Sequence, residues 1–291
     1  KDLKDLTPGD KLRAEALDAL ADDDQHVLVS HNRRDPQVFD VYRVDVKTAK
    51  ETLVAQNPGN ITGWLTDHAG RVRVATTTDG VSTSMLYRDK EDQPFKPILT
   101  TNFKESVTPL FFTFDNQKLY VSSNRGRDKA ALFEFDPATA KEGKLIFEHP
   151  EVDVDQLVFS RKRKVLLAAA FTTWKAQRHF LDAEAKAMFE KVQAQLPGYE
   201  VFFSASDKAE QKYIVVSMSD RTRGRRYLYD KPTGKLTLLA EVAPWLKEAD
   251  LAEMKPVVIP ARDGLKLNAY LTLPVGIEPR NLPLVLLVHG G

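Results

Sequence analysis

The chain has 291 residues, of which 42% are hydrophobic and 29% charged, the proportions of a globular protein able to bury a sizeable core. Its 42 Lys and Arg residues balance 41 Asp and Glu, so no global field attracts a nucleic acid or an anionic membrane. The absence of cysteine excludes a disulfide framework, a thiolate nucleophile and a cysteine metal site, without separating cytoplasm from periplasm. No signal peptide or membrane-spanning run is recognisable, although Lys1 leaves a removed leader open.

An apolar or aromatic pair that runs into aspartate recurs along the chain. The aspartates, which step by 44, 47, 46 and 48 residues, are Asp45, Asp89, Asp136, Asp182 and Asp230. Three of them continue alike, as Asp45-Val-Lys-Thr-Ala-Lys50, Asp136-Pro-Ala-Thr-Ala-Lys141 and Asp230-Lys-Pro-Thr-Gly-Lys235. Each of these is followed by another apolar stretch. The repetition predicts one hairpin turn at a fixed position in every repeat.

Two further short strand candidates precede each aspartate, for example Pro109–Phe114 and then Lys118–Ser123. Four short strands in about 40–50 residues are typical of a β-propeller blade, a four-stranded antiparallel sheet that buries its faces against neighbouring blades. The predicted fold class is therefore all-β, with residues 1–250 forming a partial propeller of about five blades. A β-sandwich is the alternative, but its turns recur roughly every 8–12 residues without a longer period.

Two segments interrupt the strand pattern. Between Asp182 and Pro197 the spacing predicts a helix with Asp182 as its N-cap and an apolar stripe packed on the propeller edge. The residues of that stripe are Ala185, Met188, Phe189, Val192 and Leu196. A lid or docking element facing a partner domain is the alternative. Pro244–Met254 predicts a short amphipathic hinge, with interdomain packing by Trp245, Leu246, Leu251 and Met254.

Residues 251–291 follow a different pattern and are predicted to be a hinge and the start of a second domain. Val257–Leu273 contains two strand candidates around Ala261-Arg262-Asp263-Gly264, whose Asp-Gly pair is a hairpin signal. The apolar run Leu284–Val288 then breaks into His289-Gly290-Gly291. The run is too short to cross a bilayer and predicts a buried parallel strand, while paired glycines permit a sharp turn beside a reacting group.

The order of these segments resembles the prolyl oligopeptidase family of serine peptidases, most of all its acylaminoacyl-peptidase and dipeptidyl-aminopeptidase branch. The segments that carry the match, which spans essentially the whole chain, are Phe180–Asp182, Leu196–Gly198, Arg226–Asp230, Ala261–Gly264, Ala269–Pro274 and Val288–Gly291. The resemblance implies a propeller that filters oligopeptides by size and a C-terminal α/β-hydrolase domain with a Ser-Asp-His triad. It also implies about seven or eight blades, more than the five aspartate markers here.

The sequence departs from that family in one important respect. It contains no G-x-S-x-G, the strained turn that carries the nucleophile and precedes the acid and the histidine in α/β-hydrolases. The catalytic residues are therefore expected beyond Gly291, so that this chain is a fragment that is inactive alone. The intact protein is expected to be a serine-type peptidase of the aminoacyl, dipeptidyl or acylaminoacyl exopeptidase type.

The resemblance also assigns roles to particular residues. Gly291 is expected to donate its amide to the oxyanion, with Gly290 allowing close approach, and one such donor contributes roughly 2.7–4 kcal/mol. His289 stands where proline-specific relatives carry tyrosine, which favours a broader specificity, and it precedes the glycines, so it is not the catalytic base. Arg125, Arg127 and Arg178 are expected to lie in blade loops and are candidates for binding a peptide carboxylate.

No metal-ligand spacing or cofactor motif is present, and no cofactor is expected. The basic runs Arg161–Lys164 and Arg221–Arg226 are predicted to be solvated turns. The expected partners are an oligopeptide substrate and the rest of the chain's own hydrolase domain, not nucleic acid or membrane. The sequence does not decide the cleavage specificity or whether the protein forms a homo-oligomer. It also does not decide whether the compartment is the cytoplasm or the periplasm.

Two other functions remain as alternatives. The first is a stand-alone propeller that binds or scaffolds, and the second is an esterase of the same hydrolase fold. Val257–Gly291 argues against the stand-alone propeller, because a chain that is only a propeller does not require a hairpin followed by an apolar strand.

Overall fold

A computed structural model describes residues 3–288, so the predictions for His289, Gly290 and Gly291 lie outside the described residues. The chain divides into two compact units. The first runs to Thr173 and includes Gln177–Asp182, and the second comprises Trp174–Ala176 and the residues from Ala183 onwards. The predicted domain boundary at residue 250 falls inside the second unit and stays a prediction.

Four β-sheets follow one another before the helix. The first consists of β1 (Ala14–Asp18), β2 (His26–Asp35), β3 (Val38–Asp45) and β4 (Glu51–Ala55), and the second of β5 (Ile61–Thr66), β6 (Val72–Thr78), β7 (Thr83–Tyr87) and β8 (Lys96–Thr101). The third consists of β9 (Val107–Phe112), β10 (Leu119–Ser123), β11 (Ala131–Asp136) and β12 (Lys141–Phe147), and the fourth of β13 (Val154–Ser160), β14 (Val165–Thr172) and β15 (Ala176–Phe180). Strand order follows chain order in every sheet, as in propeller blades.

The fifth sheet lies in the second unit with the α-helix and a separate hairpin. Helix α1 spans Ala183–Gln195 and precedes β16 (Glu200–Ser206), β17 (Lys212–Ser219), β18 (Thr222–Asp230) and β19 (Lys235–Glu241). A 3₁₀ turn at Glu248–Asp250 leads to the two-stranded sheet of β20 (Met254–Pro260) and β21 (Lys266–Thr272). The prediction of an all-β chain with five propeller blades is confirmed.

The fourth blade differs from the predicted four strands, because its described sheet has three. In the other blades an outer strand follows the marker aspartate, whereas helix α1 begins directly after Asp182. Alanine, glutamate and lysine dominate α1, and these residues have high helix propensity. The helix ends before Pro197, and Gly198 has a φ of +84° that reverses the chain.

Three of the five repeated aspartates, Asp45, Asp136 and Asp230, cap the turn between the third and fourth strands. Asp45 Oδ1 accepts hydrogen bonds from the backbone N–H groups of Lys47 at 2.9 Å and Thr48 at 2.7 Å, and these bonds lower the pKa of Asp45. Asp230 accepts in the same way from Thr233 N–H at 3.1 Å and from its hydroxyl at 2.6 Å, which lowers its pKa too. The repeat in the sequence is therefore a repeated Asx turn.

A second series of aspartate turn caps is present that the sequence pattern does not reveal. It lies between the first and second strands, where Asp67 Oδ1 accepts from Ala69 N–H at 2.9 Å and from Arg71 N–H at 3.1 Å. Asp115 accepts from Gln117 N–H at 3.1 Å, and Asp207 from Gln211 N–H at 2.8 Å. The residues before these aspartates differ from turn to turn, which hides the period in the sequence.

Neighbouring blades of the first unit share apolar cores. Between the second and third blades, Val74 and Met85 pack in one cluster with Phe112, Leu119 and Phe135, all buried. Each fully buried side chain of this size contributes roughly 1.5–3 kcal/mol relative to exposure. A similar cluster joins the third and fourth blades. Stacking of blades therefore buries surfaces that one sheet leaves in water.

Helix α1 covers one face of the fifth blade. Val192 is fully buried against Val201, Val215 and Tyr229, and Met188, Phe189 and Leu196 belong to the same cluster. The predicted apolar stripe of the helix is therefore confirmed, and it packs on a blade as expected. The carboxylate of Asp182 accepts hydrogen bonds from Arg163 at 3.0 and 2.7 Å, and its N-cap role stays a prediction.

Candidate functional site

The first candidate region is the loop between β10 and β11, which carries two of the three predicted arginines. Gly126 N–H donates to Glu105 at 3.0 Å, and Asn124 Oδ1 accepts from Ser106 N–H at 2.6 Å. The side chain of Glu105 and the backbone N–H of Ser106, which lie just before β9, therefore hold the loop. Arg125 at its tip is exposed, and no ion pair or hydrogen bond from residues 3–288 reaches its guanidinium.

The buried hydroxyl group of Ser123 holds the start of this loop in place. Ser123 is 0% exposed, donates to Glu142 at 2.5 Å and accepts the backbone N–H of Arg125 at 3.1 Å. These bonds fix the start of the loop. Sequence reasoning missed Ser123 and Glu142, because serine and glutamate in strands carry no signal for a loop anchor.

Arg127 differs from Arg125 because its charge is already paired. Its guanidinium lies 3.2 Å from Glu148, and its Cζ lies 4.4 Å from the ring centre of Phe133. The buried Nε has no hydrogen-bond partner among residues 3–288. The pairing makes Arg127 a support of the loop and leaves Arg125 as the available cation.

Arg178 does not lie in a loop as predicted. It lies within strand β15 of the fourth blade and is half-buried. The structure thus brings Arg125 and Arg127 together in one loop and places Arg178 in a different sheet. A role of these arginines in substrate binding stays a prediction.

The second candidate region is the connection between β19 and β20, where the predicted hinge lies. It is not an amphipathic helix, because only the 3₁₀ turn Glu248–Asp250 is helical. Trp245 is 76% exposed, and Leu246 and Met254 are exposed too, while the interdomain packing predicted for them and for Leu251 stays a prediction. Proline at 244 and acidic residues on both sides leave too little apolar surface for a buried helix.

Arg225 organises a polar cluster at this connection. Its Nε donates to Glu241 at 2.5 Å, and its other nitrogens lie 3.0 Å from Glu248 and 3.2 Å from the Tyr199 hydroxyl. The Tyr199 hydroxyl lies 2.9 Å from each oxygen of Glu248. The hydrogen bond to Glu241 contributes most to raising the pKa of Arg225, and the hydrogen bond to Tyr199 contributes next. Arg225 lies in strand β18, so the prediction of a turn across Arg221–Arg226 is wrong for it.

The β20–β21 hairpin has the predicted turn. Gly264 adopts a φ of +87°, and Ala261 N–H donates to Leu265 O at 2.8 Å to close the two strands. Tyr270 of β21 donates its hydroxyl to the backbone oxygen of Trp174, and the two rings meet edge to face at 5.6 Å. The hairpin is therefore anchored within the second unit.

The apolar run after the hairpin does not form the predicted buried strand. Leu284–Val288 has no regular secondary structure, and the side chains are 76–92% exposed. A strand requires a hydrogen-bonded neighbour, and no described strand pairs with this run. Exposed apolar side chains also cover much of the hairpin, among them Val258, Leu267 and Tyr270. Exposed apolar side chains in such numbers are typical of an interaction site.

Within residues 3–288, no group of three or more His, Asp or Glu side chains is arranged to hold a metal ion. The helices that the structure describes include none with the length and apolarity needed to span a membrane.

The sheets define a partial β-propeller of antiparallel blades, followed by a separate two-stranded hairpin. No protein-family model matches the chain. Dipeptidyl aminopeptidase BIII of Pseudoxanthomonas mexicana is 31% identical over 303 residues, an alignment that covers 99% of this chain and 43% of the relative. The predicted resemblance to the prolyl oligopeptidase family is therefore confirmed along the whole chain.

Solved structures agree on the fold. A puromycin-hydrolysing peptidase from Mycobacterium tuberculosis matches with a TM-score of 0.57 and 14% identity, over 89% of this chain and 43% of the other. Dipeptidyl peptidase 4 of Porphyromonas gingivalis matches with a TM-score of 0.51 and 14% identity, over 92% of this chain and 40% of the other. The chain thus spans less than half the length of the relatives that it matches.

Proposed function

We propose that this chain is the propeller part of a serine-type peptidase that hydrolyses oligopeptides, and that the propeller filters substrate access. The relatives by sequence and fold include a dipeptidyl aminopeptidase and a puromycin-hydrolysing peptidase, which supports hydrolysis of amide bonds near a peptide terminus. The nucleophile, acid and base lie beyond Gly291 in this proposal, and the chain alone is inactive.

One observation carries the proposal, namely the exposed apolar surface of the hairpin and of Leu284–Val288. The first strands of an α/β-hydrolase sheet carry apolar side chains that the rest of the domain covers on both faces, and an exposed apolar surface of this kind supports the presence of such a domain. The following glycines, Gly290 and Gly291, then supply the oxyanion-binding turn, with His289 beside it.

Arg125 is the residue of this chain best placed to bind substrate charge. Its guanidinium is exposed and unpaired within residues 3–288, while Ser123 and Glu105 hold the loop that presents it. A planar guanidinium binds a carboxylate through two parallel hydrogen bonds. We therefore assign it the C-terminal carboxylate or an acidic side chain of an oligopeptide, with Arg127 as its support and Arg178 as a further contact.

The test uses the longest protein that the gene encodes, including whatever follows Gly291. It should react covalently with a fluorophosphonate at one serine and release p-nitroaniline from dipeptidyl or acylaminoacyl anilides. Pretreatment with the fluorophosphonate should abolish both signals in parallel. Cleavage of the anilides that survives complete labelling, or the absence of a reactive serine, would overturn the proposal.

The same experiment separates the alternatives. A stand-alone binding module has no reactive serine and no hydrolytic activity. An esterase of the same fold reacts with the fluorophosphonate and hydrolyses p-nitrophenyl esters, but leaves all peptide anilides intact. Hydrolysis of unblocked dipeptidyl anilides in preference to acetylated ones assigns the dipeptidyl branch.

A further inference from the structure

The connection between β19 and β20 is held by unusually few contacts. It comprises residues 242–253, and none of them is buried. Its backbone bonds to the blade at its two ends, where Val242 N–H donates to Gly224 O at 3.0 Å and Met254 N–H donates to Asp220 at 2.7 Å. Apolar burial therefore does not hold the middle of this connection in place.

A single side chain fastens the middle of the connection. Glu248 is the residue of the described segment 242–253 whose side chain has a hydrogen bond or ion pair to the blade. Both of its oxygens lie 2.9 Å from the Tyr199 hydroxyl, and Oε1 lies 3.0 Å from Arg225. Its neighbours Trp245 and Lys247 are exposed.

We propose that Glu248, Tyr199 and Arg225 form a latch that fastens the strap of residues 242–253 to the fifth blade, and that opening the latch frees this strap without unfolding the blade. Arg225 keeps its second partner, Glu241 of β19, when Glu248 leaves, so the blade retains a paired charge. The core of the blade, which includes Val215 and Tyr229, does not involve the strap. The proposal concerns this chain alone and does not depend on the proposed activity.

The charges and exposure of the latch predict its response to salt. The side chains of Arg225 and Glu248 are 29% and 26% exposed, so solvent ions reach them. At about 1 M salt the screening length falls to roughly 3 Å, comparable to the separation of the pair. High salt is therefore expected to open the latch, while apolar packing of the blade is unaffected or strengthened.

Limited proteolysis with chymotrypsin tests the proposal, because Trp245 is an exposed cleavage site inside the strap. Tyr199→Phe removes the hydroxyl without altering the sequence around Trp245, and Glu248→Gln removes the charge. Both should raise the cleavage rate after Trp245 about tenfold, since cleavage follows the open population and a hydrogen bond to a charged group is lost. The matched control Glu253→Gln, exposed and in the same strap, should behave as wild type.

Hydrogen exchange then separates a latch from a loss of stability. The amides of 242–253 should exchange faster in Tyr199→Phe, while those of β17 keep wild-type protection. In wild type, about 1 M NaCl should accelerate cleavage severalfold, and it should have little further effect in Glu248→Gln. Cleavage of Tyr199→Phe within twofold of wild type would overturn the proposal. Equal acceleration of exchange in β17 and in the strap would also overturn it.

Discussion

Arg73 of the second blade donates a hydrogen bond to the backbone oxygen of Asn116 in the third blade at 2.8 Å. The same guanidinium lies 3.4 Å from Asp67, bonds to the Tyr87 hydroxyl and sits 4.9 Å from the ring centre of Phe112. Both charged residues are buried, with Asp67 2% and Arg73 6% exposed. One charged side chain thus joins the second and third blades beside the apolar cluster that they share.

Replacing this arginine should therefore be costly. Arg73→Ala removes the hydrogen bonds of a buried guanidinium to Asn116 and Tyr87, while Asp67 keeps its pair with Arg71, and it should lower the free energy of unfolding by about 1.5–3 kcal/mol in urea titrations. Arg71→Ala is the matched control, because Arg71 pairs with the same Asp67 at 2.7 Å but is 46% exposed. Its loss should cost less than about 1 kcal/mol. Equal losses in the two variants would contradict a special role for the buried pair.

Backbone strain in the repeated turn predicts whether an exchange of alanine and glycine stabilises or destabilises the protein. The fifth position of the turn is left-handed in Ala49, Ala140 and Gly234, with φ of 62°, 54° and 69°. Alanine is strained there by roughly 1–2 kcal/mol, which exceeds the extra chain entropy of glycine. Ala140→Gly should therefore stabilise the protein by about 0.5 kcal/mol, and Gly234→Ala should destabilise it by a similar amount.

The control lies two residues away in the same turn. Ala138, which donates its N–H to Asp136 at 2.9 Å, is not left-handed, so Ala138→Gly should destabilise the protein by about 0.5 kcal/mol. Urea unfolding at matched conditions measures all three variants. The same sign for Ala138→Gly and Ala140→Gly would show that backbone strain does not decide the residue at this position.

His31 makes the stability of the first blade depend on pH. Its ring is 0% exposed, stacks on Tyr42 at 4.0 Å and accepts the Arg33 N–H at Nδ1, while Nε2 lies 3.4 Å from Glu51. Burial lowers the pKa of His31, outweighing the attraction of Glu51. The folded state therefore prefers the neutral ring.

The sign of the pH dependence follows from that preference. Stability from His31 is complete above its ordinary pKa of about 6.5 and is lost as pH falls from there towards the lower folded pKa, because the unfolded chain binds the proton first. Urea unfolding between about pH 7.5 and 5 should show this loss in wild type. His31→Gln should have a flatter profile over the same range. Identical slopes would exclude His31 as the titrating group.

Arg125 is predicted to act on substrate binding in the proposed peptidase. Arg125→Ala should raise KM about tenfold for oligopeptides with a free C-terminal carboxylate and leave KM for C-terminally amidated ones unchanged, because a charge-assisted hydrogen bond is lost. Lys129→Ala serves as the control, since Lys129 lies in the same loop and its ammonium lies 3.4 Å from Asp128. Equal effects on free and amidated peptides would exclude recognition of the carboxylate by Arg125.

Much of the fold was accessible from local pattern. The aspartate turns are local structures whose capping bonds span two or three residues, so the residues at Asp45, Asp136 and Asp230 predict them directly. The helix at Ala183–Gln195 and the turn at Gly264 are likewise set by nearby residues. Their spacing then predicts blades, because four strands per repeat have few ways to bury their faces.

Local patterns in the sequence were enough to predict the five blades of this chain, the position of the helix and the resemblance to a peptidase family. Tertiary structure alone decided that Arg127 is paired with Glu148 while Arg125 is exposed, and that Tyr199, Arg225 and Glu248 converge. It also decided that Leu284–Val288 is exposed, since a strand needs a partner as well as apolar residues. Turn chemistry acts over a few residues, whereas ion pairs and strand pairing join residues that lie far apart in the chain and depend on how the blades meet.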